Sequence, residues 1–136
     1  MTERVVDTNI ILRFLMRDNL RQFGQSERLI QRIAARRENV FLPLHCVCET
    51  VFTLQSYYQV PRNEIAEKLS ILFSHIGFHI PMKSGVLNAL EIYKETAVSF
   101  ADALTVAQMQ CGGMSEIYSF DRHFDQVEGI KRLEPE

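Results

Sequence analysis

Short β-branched runs alternate with stretches of helical period along these 136 residues, and that alternation most constrains the fold. RVVD near the start is continuous, β-branched and only a few residues long, as a buried strand would be. Asn39 and VFLP give a second such run, stopped by Pro43, and GFHI a weaker third. IYSF and GIKRL follow near the C-terminus, the last as an edge strand. Strands that alternate with helices predict a parallel α/β sheet covered on both faces. The expected architecture is a three-layer α/β/α domain with a central parallel sheet of four to five strands. The chain shows no linker, repeat or low-complexity segment, so residues 1–136 read as one domain.

The intervening segments carry helical stripes. Thr8 or Asn9 can cap a helix with Ile10, Ile11, Phe14 and Leu15 at helical spacing. A second helix is expected from about Gln25 to Arg37, with Leu29, Ile30 and Ile33 on one side. Val47, Val51, Leu54 and Tyr58 repeat as turns of a third, and Pro61 opens a fourth with Ile65, Leu69 and Leu72 inward. Met82 to Lys94 reads as another amphipathic helix. Phe100, Ala103, Leu104 and Ala107 mark one that ends at Gly112–Gly113. A short helical turn follows Asp121.

A net charge of −2 excludes a broadly basic, nucleic-acid-coating surface without excluding a nucleic-acid substrate. The three cysteines (Cys46, Cys48 and Cys111) are odd in number and form no C-x-x-C pair, which suits buried thiols in a reducing cytosol. No signal peptide precedes the first strand, and no apolar run approaches the ~18 residues of a membrane span. A cytoplasmic protein with no membrane partner is expected.

Four carboxylates stand apart. Asp7 lies in VVDTNIIL with no other charge between Arg4 and Arg13; Glu49 is the only charge between Glu38 and Arg62. Asp102 is alone between Glu95 and Glu116, and Asp121 follows IYSF. An ionised carboxylate in apolar company is costly without a partner, and a bound cation is the natural one here. Ligands of open parallel sheets bind beyond the carboxyl ends of the strands, where Asp7 and Asp121 are expected. Asp102, in a first helical turn, is expected at the same edge. Four like charges in one cleft require a counter-ion. Oxygen ligands suit Mg²⁺ or Mn²⁺, and the near absence of His and Cys beside the acids argues against structural zinc. His45, His75, His79 and His123 are scattered and read as satisfied or surface imidazoles.

VVDTNIILRFL, the isolated Glu49 in a helix after a proline-ended strand, FADAL and SFDRHF together resemble the PIN-domain ribonucleases. In compact size the chain is similar to the VapC-type toxins of bacterial toxin–antitoxin pairs. The resemblance implies that Asp7, Glu49, Asp102 and Asp121 are the metal-binding catalytic acids, holding one or two ions. It assigns supporting roles to Asn9 and to Ser119, whose hydroxyl would orient Asp7 and bound water, with Asp125 as an accessory acid. It places Phe124 in a packing position. It implies endonucleolytic cleavage of single-stranded or loop RNA by a metal-activated water, leaving a 5′-phosphate and a 3′-hydroxyl. It also implies a homodimer and a small cognate antitoxin. Arg13, Arg17 and Arg21, four apart, would align along a helix and its exit to meet RNA phosphates. A solvated or antitoxin-facing patch explains them equally, as it does Arg28, Arg32, Arg36 and Arg37.

Each acid alone also fits a helix cap or an ion-paired residue. A haloacid-dehalogenase-like phosphotransferase needs a second Asp two residues after the first, where this chain has Asn9. A receiver domain needs an acidic pair at the first strand, and Asp7 stands alone. A non-toxin PIN nuclease, or a PIN-fold RNA-binding module with little catalysis, is the remaining alternative; the usual sign of the latter, loss of an acid, is absent.

Overall fold

Two-residue strands build the first sheet. In the computed structural model, which describes residues 3–136, Arg4–Val5 (β1) leads into the helices Thr8–Met16 (α1) and Leu20–Ala34 (α2). Val40–Phe41 (β2) follows, then Leu44–Ser56 (α3), Arg62–Phe73 (α4) and Phe78–His79 (β3). The strands pair in the order β1-β2-β3, all parallel, with Arg4 opposite Val40 and Val40 opposite Phe78. The chain divides into two compact units, and these elements make the first, Met1–Lys83.

Local chemistry explains the boundaries of this unit. Asp7 is the N-cap of α1, accepting from the Thr8 N–H at 2.9 Å. The side chain of Asn19 caps α2 by accepting from the Gln22 N–H, so α2 begins five residues before the helix expected from Gln25. Gly24 hides that first turn from a propensity reading, because glycine is a poor interior helix residue. Pro43 and Pro61 sit at the N-caps of α3 and α4 in extended conformation. Val47, Val51 and Leu54 of α3 are buried, as are Ile65, Leu69 and Leu72 of α4. Tyr58 lies beyond the end of α3 and is half-buried. β1 departs from the buried strand read from RVVD. It is an edge strand with one neighbour, Arg4 and Val5 are exposed, and only Val6 is covered.

The second unit, Ser84–Glu136, takes nearly all of Lys83–Glu95 (α5), then Phe100–Cys111 (α6), Glu116–Tyr118 (β4), a 3-10 turn at Arg122–Gln126 and Lys131–Leu133 (β5). Ser99 caps α6 by accepting from the Asp102 N–H at 3.1 Å. Gly113 takes the left-handed conformation just past its end, at φ 69°. Val86, Leu90, Tyr93, Phe100 and Leu104 are buried, with the Tyr93 and Phe100 rings edge-to-face at 6.1 Å. β4 and β5 run parallel, with Glu116 opposite Lys131.

The single sheet of four to five strands is therefore corrected. Among the described residues there are two parallel sheets, of three and two strands, accompanied by six α-helices. Strands of two or three residues offer few ladder bonds, and β4 spends its own on β5. Among the described residues no helix is long and apolar enough to cross a membrane.

Candidate functional site

In the first unit, Asp7 follows β1 and Glu49 is the sixth residue of α3. Both are exposed. One oxygen of Asp7, Oδ1, takes the Thr8 N–H and lies 3.8 Å from the Cys46 thiol, whose sulfur is 3.6 Å from Nε2 of His45. Cys46 and His45 precede Glu49 by three and four residues, so α3 offers all three at one-turn spacing. The carbonyl of Cys46 is itself fixed by the Thr50 hydroxyl at 2.6 Å. Sequence reasoning passed over Cys46 as a bland core thiol. Its only signal was its place in the first turn after Pro43, three residues before the isolated Glu49. Of the other cysteines, Cys48 is half-buried, and burial pushes its thiol up. Cys111 is exposed at the end of α6, against the expectation of a buried thiol.

In the second unit, Asp102 is half-buried in the first turn of α6, where a carboxylate complements the helix dipole. Asp121 is exposed and caps the 3-10 turn, its Oδ1 accepting from the His123 N–H at 2.9 Å and lying 3.0 Å from the His123 imidazole. The Ser119 hydroxyl accepts from the Asp121 N–H at 3.0 Å, so it organises the loop that carries this acid. Asp125 pairs with Arg132 at 3.1 Å. The same guanidinium donates to the Ser119 carbonyl and to Glu134, each at 3.0 Å. Arg132 thus ties β5 to both ends of the Asp121 turn, a role the sequence did not announce. These acceptors raise the Arg132 pKa further, Glu134 first and Asp125 second.

Two of the four acids therefore double as caps. The carboxylates of Glu49 and Asp102 have no hydrogen bond or ion pair within their own units among the described residues. Isolation in sequence meant solvent contact rather than burial for three of the four. The arginines expected along α1 and its exit divide. Arg13 is engaged internally, donating to Gln22 at 2.9 Å, Asp18 at 3.2 Å and Tyr58 at 3.3 Å. Arg17 lies over the Phe23 ring at 4.7 Å, and Arg21 is exposed.

Carboxylate donors suit a hard divalent cation, and each unit supplies two of the four acids. Among the described residues, neither unit by itself gathers three His, Cys, Asp or Glu side chains into a metal-holding group. The donor chemistry fits magnesium or manganese, with a pair of acids in each unit rather than a complete set in either.

Comparison with known proteins bears on the same residues. The PIN-domain family model matches residues 4–130. The chain is also 24% identical over 132 residues to a protein named VapC ribonuclease from Aquifex aeolicus (strain VF5), covering 97% of this chain and 96% of that relative. A match that runs from β1 to the threshold of β5, with all four isolated acids inside it, decides the family: this chain belongs to the PIN-domain proteins.

Proposed function

We propose that this chain is a metal-dependent endoribonuclease that cuts single-stranded or loop RNA, acting in the cytoplasm as the toxin of a toxin–antitoxin pair. The observation that carries the reading is the PIN-domain match across residues 4–130, which contains the four acids that stand alone in sequence. RNA as the substrate is supported by the full-length similarity to a relative named as a ribonuclease. A homodimer and a small antitoxin partner belong to the same proposal, on the resemblance of the sequence motifs to the VapC-type toxins.

Asp7, Glu49, Asp102 and Asp121 are the residues that would hold one or two Mg²⁺ or Mn²⁺ ions. When bound, such an ion supplies a water of lowered pKa and draws charge from the phosphate oxygens. The chain's own residues set the conditions for that chemistry. The Thr8 N–H holds the Asp7 carboxylate through Oδ1 and leaves its remaining lone pairs to a ligand. The His123 N–H holds Asp121 through Oδ1 in the same way. Ser99 fixes the backbone beneath Asp102, and Ser119 fixes the backbone of Asp121. Asn9 stands two residues after Asp7 in the first turn of α1, and the motif resemblance gives it a supporting role beside that acid. Among the arginines, Arg17 and Arg21 are the better placed for RNA phosphates, because Asp18 already answers the charge of Arg13. Asp125, paired to Arg132, serves the turn more than a metal shell.

Cleavage of a labelled RNA by purified protein tests the reading. Removing an outer partner of a metal site costs roughly 10–100-fold, so Asp7→Asn or Asp102→Asn should cost more than about 100-fold. Far-UV circular dichroism of both variants should match wild type. Wild-type cutting by both variants with Mg²⁺ or Mn²⁺ present would refute the site, and full activity after exhaustive chelation would refute the metal.

A further inference from the structure

Between α1 and α2 lies a cavity of about 230 Å³, and its lining is more specific than a surface dimple needs to be. Three carboxamides reach it, from Asn9, Gln22 and Gln25, and the aliphatic side chains of Ile10 and Leu29 complete the wall. Ser26 also lines it. Its residue is only 3% exposed, yet its hydroxyl makes no hydrogen bond among the described residues. Since no buried side-chain oxygen or nitrogen lacks a partner among the described residues, this hydroxyl meets solvent, and it offers a donor and an acceptor to a polar occupant of the cavity. Gln22 is held in a fixed sense, because its Oε1 accepts from the Arg13 Nε at 2.9 Å and its NH₂ remains the free end. Arg13 also lines the cavity, but Asp18 at 3.2 Å answers its charge.

This chemistry selects a ligand class. A phosphate would call for uncompensated guanidinium or ammonium groups, whereas here the donors and acceptors are neutral. Carboxamides and hydroxyls read the edges of nucleobases, and flat aliphatic walls take their faces. The volume lies below the roughly 300–1,000 Å³ of drug-sized ligand sites, which suits a single ring system. Asn9 stands two residues from Asp7 on the same N-terminal turn, so a base seated here belongs to a nucleotide close to that acid.

We propose that this cavity receives one unpaired nucleobase of the RNA and sets the base preference beside the cut. The inference rests on the endoribonuclease reading, and its test separates the two. In the metal-free full-length protein, the side-chain amide signals of Asn9, Gln22 and Gln25 are followed by NMR. They are titrated with each of the four nucleoside 5′-monophosphates and with ribose 5-phosphate. The expected result is shifts that differ among the four bases, are absent with ribose 5-phosphate, and weaken at least about threefold in Gln25→Ala and Ser26→Ala. Equal shifts with ribose 5-phosphate, or none with any nucleotide, overturn the inference.

Sequencing of RNA ends cut by wild type and Gln25→Ala provides the second arm. One position at a fixed distance from the cut should lose its base preference in the variant; an unchanged preference at every position overturns the inference and leaves the nuclease reading intact. Base-selective shifts in a protein that cuts no RNA with any divalent metal would instead overturn the nuclease reading and keep the nucleobase site.

Discussion

Phe124 offers the sharpest test of what holds the Asp121 turn in place. It is the one buried side chain of Arg122–Gln126, only 4% exposed. A phenylalanine buries roughly 150–250 Å², which at about 25 cal/mol per Å² is worth about 4–6 kcal/mol. Residual compactness of the unfolded chain trims such figures by roughly 10–40%, leaving about 3 kcal/mol for Phe124→Ala, at the low end of such truncations. At about 3 °C per kcal/mol this is a fall in Tm of about 10 °C if the turn unfolds with the whole. If it opens locally, the cost appears in hydrogen exchange instead. The His123 amide, bonded to Asp121 Oδ1 at 2.9 Å, should then exchange about 100-fold faster. Phe124→Leu keeps most of the apolar volume and should cost about 1 kcal/mol. The assay pairs calorimetry with amide exchange on all three proteins. A Phe124→Ala variant with wild-type Tm and wild-type His123 exchange would refute the packing argument.

Other expectations follow from single contacts. A Cβ added at Gly77 would lie 2.8 Å from Ile33 Cγ2 and 2.9 Å from the Glu38 carbonyl oxygen, so Gly77→Ala should cost about 1–3 kcal/mol by overpacking; an unchanged Tm would count against it. Arg36 holds a left-handed φ of 60° past the end of α2, where glycine carries no Cβ penalty, so Arg36→Gly should stabilise by about 1 kcal/mol in urea melts. A lower midpoint at equal slope is the contrary result. The Tyr58 hydroxyl, bonded to Asp18 at 2.6 Å, holds that carboxyl below its usual range, with the Arg13 charge adding to it. A carboxyl lowered by folding stabilises above the ordinary value and loses that contribution as pH falls through the lowered one. Tyr58→Phe should therefore be less stable than wild type at pH 7, with the gap closing below about pH 4. A gap that persists unchanged in acid would show that the contact does not act through Asp18.

What was legible in the sequence tracks which interactions are local. The stripe of Val47, Val51 and Leu54 is intrinsic to one helix and appears buried as read. The N-terminal turn of α2 was not legible, because a single capping side chain, Asn19, outweighs the helix-breaking tendency of Gly24. Sheet membership was least legible: two-residue strands carry little pairing information of their own. The exposure of Arg4 and Val5 follows from β1 standing at an edge, which no periodicity in RVVD can express. The positions of the acids were readable, yet their partners were not. The proximity of Cys46 to Asp7 and the grip of Arg132 on Asp125 span 39 and 7 residues, and only folding brings those atoms together.

The partners of the acids bear on why the chain carries them. A carboxylate that caps a helix or joins an ion pair can be explained by stability alone, and Asp7 and Asp121 have such explanations available. Glu49 has none, and Asp102 has only its place at the positive end of the α6 dipole. Several cations of the chain are matched elsewhere: Arg13 with Asp18, Arg32 with Glu38 at 3.0 Å, and Arg132 with Asp125 and Glu134. Within its own unit, no Arg or Lys among the described residues pairs with any of the four acids. Removing a charge that folding does not use costs the fold little, so Glu49→Gln should leave the melting temperature of the metal-free protein where it is, and Asp102→Asn should lower it by no more than about 3 °C, the worth of one helix-dipole contact. Were either variant to melt well below wild type, a structural duty would account for that acid. Stability retained together with lost RNA cleavage would instead leave a cation from solution as the partner these carboxylates await.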